Sequence, residues 1–246
     1  MMAIQPSPAR EFLKGLGKSM PKPRAIVIAS AHFDTDRPAV VVDAHPDMIY
    51  DFGNFPQPLY EIVYPAPGDP EVAIKVAGLL DAAGLAPVVA QNRGFDHGTW
   101  VPLSLMYPDA NIPVVQVSLQ PQFGAPHHVA LGRAMASLRN EDILVIGSGT
   151  ASHNLREYYT LGRGNGTPPE WVMAFDTWVR EKALAGDAEA LANYRATAPF
   201  ARRNHPTEEH FLPLHVALGA AGEGAKGELL HQSYDGILSM DAYAFH

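Results

Sequence analysis

The sequence predicts an α/β fold, with a single domain whose central sheet, mostly parallel or mixed, is flanked by helices. Short runs that are apolar on both faces and rich in β-branched residues predict strands covered by helices on each side. These runs alternate along the chain with segments of helical periodicity, as in α/β proteins. The 246 residues are enough for one large domain, and no linker, repeat or low-complexity tract divides them. We therefore expect one domain spanning residues 1–246.

The predicted strands are short and are separated by turn and helix signals. They occupy residues 25–29, 40–42, 87–90, 114–119 and 143–147. A further segment, 237–243, alternates between apolar and polar residues and predicts a terminal strand.

The predicted helices begin at recognisable signals. Ser7 followed by Pro8 is a helix-start signal before the periodic residues 9–18, and Asp69 followed by Pro70 opens another helix. Helical periodicity also covers residues 126–138, 169–193 and 207–219.

Residues 44–69 form a long predicted loop of unusual composition. Its aromatic residues alternate with glycine and proline, which predicts a structured loop. The aromatic members are Tyr50, Phe52, Phe55, Tyr60 and Tyr64. Two interpretations are open: an aromatic wall over a flat ligand, or a loop that covers the core.

Composition excludes several classes of partner. The formal net charge is -8, and no run of Lys or Arg is present. We therefore expect neither nucleic acid nor an anionic membrane as a partner.

Cysteine is absent, so that a metal could be bound only by imidazole, carboxylate or water. The first residues do not show the basic segment and following apolar stretch of a signal peptide, and no window approaches the roughly 18 apolar residues that span a bilayer. We expect a cytoplasmic protein.

Three histidines lie at the ends of apolar runs that are far apart in the sequence. His32 follows the strand 25–29, His153 follows the strand 143–147, and His210 precedes an apolar run. Ligands of open α/β sheets gather beyond the carboxyl ends of neighbouring strands. We therefore predict that these imidazoles converge on one metal ion, although any one of them, taken alone, is more often structural.

Local sequence suggests how each histidine is presented. Small residues before His153 permit close approach of the backbone to a ligand. If Thr207 is a helix N-cap, His210 lies in the first helical turn, where the helix dipole favours the neutral ring that a metal requires. His97 lies in a glycine-flanked turn, and Asp96 or another carboxylate can orient its ring, which makes it a candidate acid, base or substrate donor.

Three carboxylates near these histidines have open roles. Asp51 is either a hydrogen-bond partner behind the site or a turn former. Glu208 and Glu209 are expected to favour a helix N-terminus electrostatically.

Six motifs occur in an order that resembles a known family. They are Ser30-Ala-His32, Asp51-Phe-Gly-Asn-Phe-Pro56, Tyr64-Pro-Ala-Pro-Gly68, Gly94-Phe-Asp-His-Gly98, Ser148-Gly-Thr-Ala-Ser-His-Asn154 and Thr207-Glu-Glu-His210. Together they resemble the class III extradiol ring-cleavage dioxygenases, in the branch that includes DOPA 4,5-dioxygenase. The resemblance spans nearly the whole chain.

This resemblance implies a site and a reaction. It implies a non-haem Fe(II), or Zn(II) in some isolated bacterial members, in a histidine-rich site at one edge of an α/β sheet. His32 and His210 are then metal ligands, His153 is a ligand or the catalytic base, and His97 lies near substrate or dioxygen. The implied substrates are a catechol, which chelates the metal through its two oxygens, and O2, which attacks the ring.

The sequence departs from the family in two places. Relatives begin with a strand ending in His-Gly-Ser-Pro, whose histidine is a ligand, and this motif is absent ahead of residues 2–8. We expect that the sequence starts at an internal methionine. The alternative is a lost metal ligand and, with it, the loss of most metal affinity. If the protein consists of these 246 residues alone, we expect weak metal occupancy, little ring-cleaving activity and an unpaired sheet edge that favours a homo-oligomer. Tyr50 also stands where relatives commonly have histidine.

Two other functions fit the same residues. Three histidines around an open position also describe a zinc-dependent hydrolase. A non-catalytic binding protein that has lost a metal ligand is the second alternative.

Overall fold

The computed structural model describes residues 2–161 and 167–246. The chain forms two compact units. Unit 1 comprises Met1–Gln120 and Ser137–Ser148, and unit 2 comprises Pro121–Ala136 and Gly149–His246. The prediction that residues 1–246 form one domain stays a prediction.

Unit 1 is built on a five-stranded sheet with the order β3-β2-β4-β1-β5. Its strands are β1 (Ala25–Asp34), β2 (Ala39–Val41), β3 (Val88–Ala90), β4 (Val114–Leu119) and β5 (Ile143–Ser148). β1 is parallel to β4 and β5, and β2 is parallel to β3 but antiparallel to β4. The sheet is therefore mixed and mostly parallel, and the predicted α/β class is confirmed.

Three helices flank this sheet: α1 (Pro8–Ser19), α2 (Pro70–Ala82) and α3 (His97–Met106). α2 packs on β2 and α3 packs on β1, whereas α1 packs on α3. Ile26 and Ile28 of β1 are fully buried in the core of this unit. Burial on both faces explains why β1 reads as a continuous apolar run.

Side-chain caps start these helices where the sequence predicts them. The Ser7 hydroxyl accepts a hydrogen bond from Arg10 N, and the Asp69 carboxylate accepts one from Val72 N. Each cap satisfies a backbone N–H that the helix itself leaves unpaired.

Two features of unit 1 differ from the predictions. β1 continues to Asp34, so that His32 lies within the strand and not after it, in the stretch where the ladder to β4 is irregular. His97 starts α3, whereas the sequence predicted a turn there. Asp96 caps that helix, and burial of Trp100 stabilises it.

Unit 2 is mainly helical. Its helices are α4 (Gly124–Ala134), α5 (Leu155–Leu161), α6 (Glu170–Ala185), α7 (Ala188–Ala192), α8 (Tyr194–Thr197), α9 (Ala201–Asn204) and α10 (Leu212–Ala220). α4 packs closely on α10. Gly132 permits this approach because it has no side chain, and a Cβ at this position would overlap the backbone of Val216. Two antiparallel pairs complete the unit: β6 (Gly227–His231) with β9 (Ala242–Phe245), and β7 (Tyr234–Asp235) with β8 (Leu238–Ser239).

The predicted elements of unit 2 are partly wrong. The helix expected over 169–193 is interrupted at Gly186, whose φ of 68° ends α6. The helix expected over 126–138 is α4 followed by a 3₁₀ helix, Ala136–Glu141. The strand expected over 237–243 is divided between β8 and β9.

The helix expected over 207–219 begins only at Leu212, so that Thr207 is not its N-cap and His210 lies in the preceding turn. Within residues 2–161 and 167–246, no helix has the length and apolar character needed to cross a membrane.

Candidate functional site

In unit 1, the side chains of two histidines singled out from the sequence and of one carboxylate come together. The ligand atoms of His32, Asp51 and His97 all lie within 4.8 Å of one another. His32 comes from β1, Asp51 from the aromatic loop and His97 from the first turn of α3. The imidazole rings of His32 and His97 are 3.9 Å apart between centroids.

Asp51 lies between the two histidines. Its Oδ1 accepts a hydrogen bond from the backbone N–H of His97 at 2.9 Å and is also 2.9 Å from the ring Nδ1 of His97. Its Oδ2 is 3.6 Å from Nδ1 of His32. Burial acts to raise the pKa of this carboxyl, but the ring and backbone N–H of His97 and the ring's charge outweigh burial and lower the pKa to about 2. Asp51 is therefore a carboxylate at neutral pH.

Asp96, the first carboxylate considered from the sequence, does not orient His97. It is fully buried, and its Oδ1 accepts hydrogen bonds from Ser30 Oγ at 2.6 Å and Thr99 N at 3.1 Å. Its Oδ2 accepts from Arg93 at 2.9 Å. These bonds make Asp96 a helix cap, and the carboxylate beside His97 is the other candidate, Asp51.

Gly98 allows α3 to lie directly against this part of β1. A Cβ at Gly98 would overlap the Ser30 hydroxyl and would lie 3.0 Å from Cδ2 of His32. The absence of a side chain at this position thus lets His97 and His32 approach each other.

The aromatic loop borders His97. The ring of Phe52 is 5.5 Å from the ring of His97 between centroids, in an edge-on arrangement. Phe52 is surrounded by further rings, those of Tyr50, Phe55, Tyr60 and Trp100. The loop is anchored where Tyr50 donates to Ile62 O at 2.8 Å. Its aromatic residues pack against the core of unit 1, which agrees with the interpretation of a loop that covers the core. The interpretation as an aromatic wall over a flat ligand stays a prediction.

In unit 2, a second group contains the other two predicted histidines. The ligand atoms of His153, Glu209 and His210 lie within 4.8 Å of one another. The rings of His153 and His210 are stacked, with centroids 3.4 Å apart and 7° between their planes.

Backbone hydrogen bonds hold the segment that carries His153. His153 N donates to Asn204 O at 3.0 Å, and Thr150 N donates to His210 O at 2.9 Å. A Cβ at Gly149 would overlap this carbonyl of His210. The small residues before His153 therefore allow close approach of the His210 backbone, and the expected approach to a ligand stays a prediction.

The two neighbouring acids before His210 have different partners. Glu208 accepts a hydrogen bond from the hydroxyl of Tyr194 at 2.8 Å and forms a salt bridge with Arg195 at 2.9 Å. Glu209 Oε1 lies 3.2 Å from Nδ1 of His210 and accepts a hydrogen bond from Thr207 Oγ1 at 2.8 Å. Neither acid lies in the first turn of a helix, so the expected electrostatic role is wrong.

Hydrogen bonds favour the ionised form of Glu209. Burial acts to raise its pKa, but hydrogen bonds from the His210 ring, the backbone and the Thr207 hydroxyl lower it to about 2.

Three other histidines are buried and structural. His128, His205 and His215 are fully buried, and each bonds at least one backbone carbonyl. Burial lowers the pKa of His205 to about 3, which keeps its ring neutral.

The structure thus brings His32 and His97 together in unit 1, and His153 and His210 together in unit 2. That His32, His153 and His210 share one ion stays a prediction. Sequence analysis offered Asp51 as a hydrogen-bond partner behind the site without naming His97 as its partner, and it missed the contact of Glu209 with His210. Because Glu209 directly precedes His210 in the sequence, their contact could have been predicted. No local sequence pattern indicates that Asp51 pairs with His97.

The donor chemistry of both groups suits a metal ion. Each group offers two imidazoles and one carboxylate, the combination found in non-haem Fe(II) oxygenases and also accepted by Zn(II). The residues present therefore fit the metal that the resemblance implies.

Comparisons with known proteins agree with these observations. The family model described as the catalytic LigB subunit of aromatic ring-opening dioxygenase matches residues 8–245. A 4,5-DOPA dioxygenase extradiol of Beta vulgaris is 46% identical over 257 residues, covering 100% of this chain and 92% of the relative. A protein of the same name from Escherichia coli is 41% identical over 210 residues, covering 83% of this chain and 75% of the relative.

A solved structure shows the same fold. The crystal structure of an uncharacterized protein from Escherichia coli K12 matches with a TM-score of 0.78 and 32% identity, covering 98% of this chain and 93% of that one. The chain therefore belongs to the family of the catalytic LigB subunit of aromatic ring-opening dioxygenase, and it is an extradiol ring-cleavage dioxygenase of the DOPA-dioxygenase-like branch.

Proposed function

We propose that this dioxygenase is metal-dependent and that it opens the ring of a catechol, DOPA or a similar compound, with O2. The observation that carries the proposal is the group His32, Asp51 and His97, whose ligand atoms lie within 4.8 Å beside the aromatic loop. The names of the relatives from Beta vulgaris and Escherichia coli support the substrate class.

His32, His153 and His210 are the proposed metal ligands, and Fe(II) or Zn(II) is the proposed ion. When bound, the ion supplies Lewis acidity toward the catechol oxygens and, in the case of iron, redox chemistry toward dioxygen. His153 and His210 lie in one donor group and His32 lies in the other, and each group supports a ligand role for the histidines that it contains.

His97 is the proposed acid or base next to the substrate. Because its Nδ1 lies 2.9 Å from Oδ1 of Asp51, a proton taken from a catechol hydroxyl arrives at Nε2. The negative charge of Asp51 stabilises the imidazolium that forms. Phe52, edge-on to His97, offers its ring to a flat aromatic substrate and helps to exclude water.

His153 is either a ligand or a second catalytic base. A His153→Gln variant distinguishes the two roles. Loss of bound metal supports a ligand, whereas full metal content with a slow reaction supports a base.

An oxygen-uptake assay tests the proposed reaction. The protein is reconstituted with Fe(II) under anaerobic conditions and is then given a panel of catechols that includes DOPA. We expect one O2 consumed per catechol and a yellow ring-opened product. Conversion without oxygen uptake would favour a zinc-dependent hydrolase, and binding without conversion would favour a binding protein.

Metal stoichiometry tests the prediction of one shared ion. We expect one ion per chain, which is lost in both His32→Ala and His210→Ala. Two ions per chain, each lost in only one variant, would contradict it. The cytoplasmic location, the absence of nucleic-acid and membrane partners, and a homo-oligomer stay predictions from the sequence.

A further inference from the structure

Glu209 receives two hydrogen-bond donors on one oxygen. Nδ1 of His210 lies 3.2 Å from its Oε1, and Oγ1 of Thr207 donates to the same oxygen at 2.8 Å. A carboxylate oxygen accepts but does not donate, and two donors occupy its two lone pairs. Oε1 is therefore fully used within the protein.

This contact dictates which nitrogen of His210 carries the proton. Because Glu209 can only accept, the proton of the neutral ring is on Nδ1 and the lone pair is on Nε2. His210 can then offer only Nε2 to a metal ion. Histidine ligands in proteins are commonly oriented in this way by a carboxylate bonded to the other ring nitrogen.

The backbone of His210 is fixed independently of its side chain. Its carbonyl accepts from Thr150 N at 2.9 Å, and Gly149 packs directly against it. Rotation of the imidazole about its side-chain bonds remains, and the Glu209 bond restrains that rotation. The ring is stacked on His153, so its orientation also sets the distance between the two imidazoles.

Glu208 cannot take over this task. It is already bonded to the Tyr194 hydroxyl and paired with Arg195, and both contacts hold the protein scaffold. The two adjacent acids therefore have separate roles.

We propose that Glu209, supported by Thr207, is a positioning residue that fixes the Nδ1–H tautomer and the ring orientation of His210, so that Nε2 faces the metal. This inference rests on the proposed function, because it assumes that His210 is a ligand.

The experiment compares four proteins: wild type, Glu209→Gln, Thr207→Val and the exposed control Glu181→Gln of α6. Glutamine keeps the shape of glutamate, but its amide can donate as well as accept, so it no longer dictates the tautomer. Zn(II) affinity is measured by competition with a chelator. We expect affinity to fall by about 10-fold or more in Glu209→Gln, by less in Thr207→Val, and not at all in Glu181→Gln.

The second measurement needs no metal. Long-range proton–nitrogen NMR correlations of the metal-free protein report the tautomer of His210. We expect Nδ1–H in the wild type and in Glu181→Gln, and a mixture of tautomers in Glu209→Gln. Thermal unfolding of each variant checks that the fold is retained.

Three outcomes would overturn the inference. One is Nε2–H on His210 in the wild type. Another is unchanged Zn(II) affinity in Glu209→Gln. The third is a near-complete loss of Zn(II) in Glu209→Gln with no effect of Thr207→Val, which would make Glu209 itself a ligand. Failure of the wild type to bind any metal would instead contradict the proposed function, while the NMR result would still report on Glu209.

Discussion

The imidazole rings of His153 and His210 lie parallel, with centroids 3.4 Å apart. Rings in such close contact restrict each other's orientation. A displacement of either histidine therefore changes the position of the other imidazole.

Gly149 is expected to be essential for this arrangement. A side chain in Gly149→Ala would overlap the carbonyl of His210 and displace the loop that carries His153. We expect a loss of about 1–3 kcal/mol in unfolding free energy, together with weaker metal binding. Chemical denaturation and Zn(II) titration measure the two effects.

Gly78→Ala is the matched control, because nothing lies within 4 Å of the position where its Cβ would be and it sits inside α2. This variant should be stabilised by about 0.5–1 kcal/mol. If both variants changed the unfolding free energy and Zn(II) binding equally, the close contact of Gly149 with His210 would not matter for either.

Asp51 is expected to control the reactivity of His97. Asp51→Asn removes the charge beside Nδ1 but keeps the side-chain shape. We expect kcat to fall by about 10–100-fold with a smaller change in KM, because the imidazolium loses its partner. Steady-state kinetics with the best catechol provides the measurement.

The control is Glu61→Gln, which changes the same charge on the same loop at an exposed position. Its kinetics should match the wild type. If both variants slow the reaction equally, the effect is one of overall loop charge and not of the contact with His97.

Phe52 is expected to contribute to substrate affinity. Phe52→Leu keeps an apolar side chain but removes the ring that lies beside His97. An aromatic contact of about 0.5–1.5 kcal/mol corresponds to a rise in KM of up to about tenfold. The exposed Phe123→Leu serves as the control, and an unchanged KM in Phe52→Leu would remove Phe52 from the substrate contacts.

Asp241 is expected to make stability depend on pH. Burial and the nearby charge of Asp176 raise its pKa to about 7, and they outweigh the charge of Arg180 and the hydrogen bonds of Tyr243 and Ser239. Because the pKa is higher in the folded than in the unfolded state, the folded state holds the proton more tightly. Stability therefore decreases as pH rises from about 4 to about 7.

Thermal unfolding at about pH 5 and about pH 8 tests this in the wild type, Asp241→Asn and the exposed control Asp109→Asn. Asp241→Asn should flatten the pH dependence and stabilise the protein at the higher pH by about 1 kcal/mol, discounted for partial exposure. A pH dependence that is identical in all three proteins would assign it to other groups.

The sequence by itself determined the features that depend on neighbours along the chain. Strand β4 occupies the residues predicted for it because its valines and Leu119 form a short β-branched, mainly apolar segment, which is typical of a buried strand. Helices α1 and α2 begin directly after Ser7 and Asp69 because the side chain of each cap accepts a hydrogen bond from the backbone N–H three residues later. The four histidines at issue were likewise identified from their positions next to apolar runs and glycines.

Only the tertiary structure decided which groups these histidines meet. Asp51 reaches His97 across 46 residues of sequence, a contact that depends on how the aromatic loop packs against α3. Thr207 looked like a helix cap, but its hydroxyl bonds Glu209, and the helix starts later at Leu212. The local sequence favours a helix start at Thr207, but the turn at His210 is held by the hydrogen bond from Thr150 N to His210 O. No local pattern encodes that contact.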